Sequence, residues 1–277
     1  MTDEYWDDSG DAWPRDAKVD EAREVLLQWF EERQDQVFYG RQLAVLFEKR
    51  FYHWITTKAV NELAAEGQIR STTLPLAVEG GAEEIRFYWS PKLRYWRRQA
   101  LRIRALIQEF AEPTLARAFG LQAEVLFDAA FARAGILPIA QDVRAYAGKE
   151  WTKTGHDLDR LYQRDGVVYG AEIKNTLGYI EREELAVKLE MCGALGVRPL
   201  FIMRMTAKSY FEQIRGAGGF TLLFGWQLYP FGQEELARRV REELQLPVDC
   251  PRAIADGTVK RFLDWHLKQV ESAGGIA

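Results

Sequence analysis

Apolar positions recur with two different periods along the chain, and the change of period separates an amino-terminal helical part from a carboxy-terminal part that mixes strands and helices. From Val19 to Gln34, Ala22, Val25, Leu26, Trp29 and Phe30 recur at helical spacing and predict an amphipathic first helix. Phe38-Tyr39-Gly40 breaks it. A second helix is expected from Arg41 to Arg50, with Leu43, Leu46 and Phe47 inward. A third is expected from about Thr56 to Glu66, with Thr56 or Thr57 as its cap and Gly67 as its stop. Extended pieces follow at 68–77 and 84–89, joined by Glu79-Gly80-Gly81-Ala82. Ser90-Pro91 then opens a long helix in which Leu93, Trp96, Leu101, Ile103 and Leu106 alternate with basic residues.

Pro113 restarts the chain. A helix is predicted from Gly120 to Ala134 with Leu121, Val125 and Phe131 inward, then a strand at 136–143 and a hairpin at 155–175. A helix over 182–195 leads to the apolar run at 198–205, long enough for a buried parallel strand. A short helix at 209–215, a strand at 221–229 and closing helices at 234–244 and 258–270 complete the pattern.

At 277 residues the chain is long enough for two domains. It contains no apolar run of the roughly 18 residues a membrane span needs, and its acidic start, Met1-Thr2-Asp3-Glu4, lacks the charge pattern of a signal peptide. A cytoplasmic protein without membrane association is therefore expected. With only Cys192 and Cys250 and three scattered histidines, neither a disulfide framework nor a Cys/His zinc site is expected. The formal net charge of −4 leaves nucleic acid open as a partner, since clustering of Lys and Arg matters more than their sum.

The chemistry concentrates around Asp165-Gly166, an Asp-Gly pair between two strand-like runs and hence a two-residue hairpin turn. That turn pairs Arg164 with Val167 and sets Asp159 opposite Glu172 and Asp157 opposite Lys174, all on one face. Leu158 against Ile173 and Tyr162 against Tyr169 form the other, core-facing side. Facing carboxylates repel unless a cation lies between them, and two carboxylates suit Mg²⁺, with Mn²⁺ as a substitute.

Asp159 followed by Glu172-Ile173-Lys174 resembles the PD-(D/E)xK nuclease signature, with Leu158 where that family often has Pro. The resemblance implies an α/β, restriction-endonuclease-like αβββαβ core. It also implies Mg²⁺ held by Asp159, Glu172 and the Ile173 carbonyl, and Lys174 orienting the attacking water. Glu124, on the helix before the first core strand, resembles the third acid of such clusters. Asp157 remains an alternative first ligand if the hairpin carries a bulge.

The helices and hairpin at 17–90 resemble a winged helix-turn-helix domain, whose third helix would present Lys58 and Asn61 and whose wing would begin at Arg70. Arg94, Arg97, Arg98 and Arg102, with no acidic residue from 92 until Glu109, would track a nucleic-acid backbone. The expected layout is thus an acidic disordered tail (1–16), the winged-helix domain (17–90), a basic linker helix (91–111) and the nuclease-like domain (112–277). The expected activity is that of a DNA endonuclease, with DNA preferred over RNA and with a homodimer or a partner subunit left open. A non-catalytic DNA-binding or assembly subunit is the competing expectation.

Overall fold

The computed structural model describes residues 16–78 and 81–274, so most of the acidic tail lies outside the described residues. Asp16, placed in that tail by the sequence, instead caps the first helix, its side chain accepting from the Lys18 N–H at 2.8 Å. The chain divides into two compact units. One is built from the chain up to Leu74 with Glu84–Ala100, the other from Pro75–Glu83 with the chain from Leu101 onward.

In the first unit, α1 (Ala17–Glu32), β1 (Val37–Tyr39), α2 (Gly40–Leu46) and α3 (His53–Ala65) precede a hairpin of β2 (Arg70–Val78) and β3 (Gly81–Trp89). The sheet order is β1-β3-β2, with Phe38 level with Tyr88. Val19, Ala22, Leu26 and Phe30 of α1 meet Ile55, Ala59 and Leu63 of α3 in one core. The third helix starts earlier than its sequence suggests. Tyr52 is its first flanking residue, and Thr56 and Thr57, the expected caps, both lie inside it, Thr56 buried. Phe38-Tyr39 is more than a helix break, because it forms the edge strand that pairs with β3. The basic stretch is not one long helix from Ser90: α4 runs only from Trp96 to Phe110, and the division between the units falls within it.

The second unit continues with α5 (Pro113–Arg133), β4 (Leu137–Val143), a small hairpin of β5 (Ala145–Tyr146) and β6 (Lys149–Glu150), β7 (Leu158–Arg164) and β8 (Val167–Lys174). Then come α6 (Arg182–Leu195), β9 (Arg198–Met203), α7 (Lys208–Gly216), β10 (Phe220–Leu223), β11 (Gln227–Leu228), α8 (Glu234–Leu244), β12 (Val248–Asp249) and α9 (Asp256–Gly274). The unit is α/β. Its main sheet has the order β10-β9-β8-β7-β4, antiparallel across β4, β7 and β8 and parallel across β8, β9 and β10. Residues 221–229 do not form a single strand, since β10 ends at Leu223 and β11 joins β12 in a separate sheet.

Alternation along β8 decides which side chains can meet. Tyr169, Ala171 and Ile173 enter a core with Phe127 and Phe131 of α5 and Phe262 of α9. Gly170, Glu172 and Lys174 therefore face the opposite layer, where Met191, Cys192 and Leu195 of α6 pack. Helix α5 buries Phe119, Ala123, Leu126, Phe127, Ala130 and Phe131. Leu121 and Val125, expected inward, are 61% and 51% exposed, because the helix begins at Pro113 under a Glu112 cap and its apolar stripe runs through 119, 123, 126 and 130.

Candidate functional site

The turn at Asp165-Gly166 has positive φ at both residues, 48° and 75°, the type I′ geometry that matches the twist of a tight hairpin. It sets Arg164 against Val167 and carries the register to Arg160 against Ala171. There the ladder ends. Instead of a backbone carbonyl, the Asp159 carboxylate accepts the Ile173 N–H, at 2.6 Å. The strand also turns at this point: Leu158 packs with Leu161, Cys192 and Val197 and not in the core that holds Ile173 and Tyr162. Gly170 makes this possible, since a Cβ there would lie 2.7 Å from Leu158 Cδ1.

Beside Asp159, Glu172 is 1% exposed. Its Oε1 lies 3.0 Å from Lys174 Nζ and its Oε2 lies 2.5 Å from Lys188 Nζ, the latter an ion contact outside hydrogen-bond geometry. Lys174 also reaches Glu184 at 2.7 Å, and Lys188 donates to the Asp157 carbonyl. Burial, and then the Glu172 charge, push the Asp159 carboxyl up to about 7, opposed by the Ile173 N–H and both lysines. Burial works against charge on Lys174, but Glu172 and Glu184 outweigh it and hold the ammonium above its ordinary range. Lys174 is thus a fixed cation at neutral pH, suited to orienting a water or offsetting charge and unsuited to removing a proton.

Glu124 faces elsewhere. It pairs with Arg160 Nη2 at 2.8 Å, while Asp128 takes Arg160 Nε at 3.1 Å and the Tyr162 hydroxyl at 2.6 Å. Arg160 Nη1 in turn donates to the Asp159 carbonyl at 2.8 Å. Burial raises the Glu124 carboxyl, with Arg160 acting to lower it. Among the described residues, no group of three or more His, Cys, Asp and Glu side chains is placed to hold a metal ion. The three-acid cluster expected from the sequence is therefore reduced to the Asp159–Glu172 pair, because Arg160 draws Glu124 to the other face. Mg²⁺ usually takes one or two carboxylates from a protein, so the Asp159–Glu172 pair fits in donor type and number, while Lys174 and Lys188 already face the two Glu172 oxygens. Asp157 enters the site through its carbonyl, on Lys188.

In the first unit, Lys58 is half-buried and Arg70, Arg94, Arg97 and Arg98 are exposed. Asn61 is less available than expected, since its Oδ1 already accepts from Tyr88 Oη at 2.6 Å and Arg86 Nη1 at 3.1 Å. In the second unit Arg102 lies 3.4 Å from Glu243, so its charge is not uncompensated as the local sequence suggests.

Lys188 is 3% exposed, although a lysine on a helix is ordinarily a surface residue. A signal existed: Leu185, Lys188, Cys192 and Leu195 form one helical stripe, and a lysine within an otherwise apolar stripe needs a buried acid. Glu184, one turn before Lys188, belongs to the same site by the same logic. No helix among the described residues is long and apolar enough to cross a membrane. No family model, no curated protein and no solved structure matches the chain.

Proposed function

We propose that the protein is a metal-dependent nuclease, cutting DNA in preference to RNA. The observation that carries this reading is the Asp159–Glu172 carboxylate pair at the point where β7 and β8 part, with the Lys174 ammonium 3.0 Å from Glu172. Asp159, Glu172 and the Ile173 carbonyl would hold Mg²⁺ or Mn²⁺, which when bound supplies Lewis acidity toward a phosphate oxygen. Lys174, kept protonated by Glu172 and Glu184, orients the attacking water and offsets charge on the phosphate. Arg160 fixes the main chain at Asp159, and Glu124 and Asp128 fix Arg160.

The element order α5-β4-β7-β8-α6-β9 supports a restriction-endonuclease-like core, the small β5–β6 hairpin being an insertion between its strands. The β1-β3-β2 sheet with α1, α2 and α3 supports a winged-helix reading of the first unit. There Lys58, Arg70, Arg94, Arg97 and Arg98 are the candidate phosphate contacts. The test is cleavage of plasmid and of matched DNA and RNA oligonucleotides with Mg²⁺ or Mn²⁺ by wild type, Asp159→Asn and Lys174→Ala. Loss of cleavage in both variants is expected. Equal cleavage by all three proteins would overturn the assignment.

One observation favours a second reading, in which the nuclease-like unit is structural and the chain is a DNA-binding or assembly subunit. Lys188 is buried against Glu172, so an ammonium group already faces that carboxylate. Calorimetric titration with Mn²⁺ separates the two: a structural network takes up no ion, whereas a metal site does so and loses it in Asp159→Asn.

A further inference from the structure

At the carboxyl ends of the parallel strands, Lys174, Met203 and Leu223 stand level with one another. Ligands of open α/β sheets bind at this edge of the sheet. The segment that leaves β10 there is unusually well fastened. The Phe224 N–H bonds to the Met203 carbonyl at 3.0 Å and the Gly225 N–H to the Arg204 carbonyl at 2.9 Å, while the Arg204 N–H bonds to the Lys174 carbonyl at 3.2 Å. Just beyond, Gln227 Nε2 reaches the Asn175 carbonyl at 3.3 Å, and the Leu228 N–H reaches Asn175 Oδ1 at 2.7 Å. Arg204, itself 1% exposed, holds the carbonyls of Thr176 and Leu177 at 3.0 and 2.8 Å.

Trp226 lies between these two sets of anchors. Gly225 before it is tied to Arg204, Gln227 and Leu228 after it are tied to Asn175, and both Arg204 and Asn175 adjoin Lys174. Yet the residue is 47% exposed, while Gln227, Leu228 and Tyr229 directly after it are buried. An aromatic ring on a mobile loop would lose much of its binding energy to ordering. A ring on backbone held from both sides does not. β10 lies two strand spacings, about 10 Å, from β8, the strand that carries Glu172 and Lys174.

We infer that Trp226 is a substrate-contacting residue, a stacking platform for an unpaired base near the phosphate to be cut. The inference rests on the nuclease reading and deepens it, because an indole can stack on a base only where that base has a free face. The substrate class is therefore single-stranded nucleic acid, or a duplex with a frayed or extruded base, rather than an intact duplex.

The experiment measures binding of a short labelled single strand, its matched duplex and a series with one abasic position, by fluorescence anisotropy. It uses the full chain as wild type, Trp226→Ala and Trp226→Phe, with Ca²⁺ in place of Mg²⁺ to prevent cutting. Trp226→Ala should bind the single strand about tenfold more weakly, and Trp226→Phe should keep most of the affinity. One abasic position should erase the difference between wild type and Trp226→Ala. Unchanged affinity in Trp226→Ala overturns the inference. So does an equal loss in both variants, which would point to the indole N–H, and so does an equal loss on duplex and single strand. Cleavage of the same oligonucleotides with Mg²⁺ separates the two ideas. Trp226-dependent binding without any cleavage by wild type leaves the platform standing and removes the hydrolytic reading. Cleavage that Trp226→Ala performs with unchanged KM and affinity does the reverse.

Discussion

The Asp159 carboxylate accepts the Ile173 N–H at 2.6 Å, immediately past the last cross-strand pair of β7 and β8. A side chain thus replaces a carbonyl at the end of the ladder. This holds the acid beside the Glu172 carboxylate instead of letting it turn to solvent.

That placement has a pH signature. With its folded-state value raised to about 7 from 3.8, Asp159 keeps its proton in the folded chain over a range where the unfolded chain has released it. The sign follows directly: the contribution is fully present below about pH 4 and is lost as pH rises toward 7. Asp159→Asn removes the titration. The difference in unfolding midpoint between metal-free wild type and Asp159→Asn should therefore grow in favour of the variant from pH 4 to pH 8. Mn²⁺ at pH 8 should raise the wild-type midpoint and leave Asp159→Asn unmoved. A difference that stays flat with pH would show that Asp159 is ionised throughout.

Lys188 and Glu172 form a buried ion pair, so removing Lys188 leaves Glu172 with Lys174 as its one close cation, and removing Glu172 leaves the buried Lys188 ammonium with the Asp157 carbonyl. Lys188→Met and Glu172→Gln should each destabilise the metal-free protein by about 3 kcal/mol. The double variant should lose much less than the sum. Urea denaturation of the four proteins gives the coupling, and additive losses would mean that the pair contributes little.

How much of this was readable beforehand differs from element to element. The Asp-Gly turn made the register readable from Arg164–Val167 to Arg160–Ala171, because both its residues take positive φ, a local demand that only a few residue types meet, whereas the expected Asp159–Glu172 and Asp157–Lys174 pairs lie past the end of the ladder. The face of Leu158 was not readable. It depends on the ladder ending at Arg160, and that ending depends on a hydrogen bond from a side chain, which alternation cannot anticipate. Helix α6 emerged with its observed bounds, Arg182–Leu195, because it ends at Gly196 in the left-handed region. Lys188 and Glu184 were missed because a charge on a helix is read as solvated until its partner across the layer is known. Glu124 shows the same limit: its helix was anticipated, but the Arg160 that captures it lies on β7.

Glu124 should behave as a support for Arg160 and not as a metal ligand. Glu124→Gln keeps a hydrogen-bond acceptor for Arg160 and removes only charge, so Mn²⁺ affinity measured by calorimetry should fall by about tenfold, as for outer-shell partners. Asp159→Asn should abolish uptake. Loss of uptake in Glu124→Gln as complete as in Asp159→Asn would place Glu124 on the ion itself.

Gly170 controls whether the ladder can end where it does. A Cβ at this position would meet Leu158 Cδ1 at 2.7 Å, Val197 Cγ2 at 2.8 Å and Cys192 Sγ at 3.0 Å, all within the layer between the sheet and α6. Gly170→Ala should destabilise the protein by about 1–3 kcal/mol through overpacking. Because Leu158 directly precedes Asp159, the same change should also disturb the carboxylate and weaken Mn²⁺ uptake. Trimming Leu158 removes the nearest clash, so Leu158→Val combined with Gly170→Ala should recover part of both the stability and the uptake. Thermal unfolding and calorimetry on the two single variants and the double variant check this, and recovery of stability without recovery of uptake would show that the packing of Leu158 does not govern where Asp159 sits.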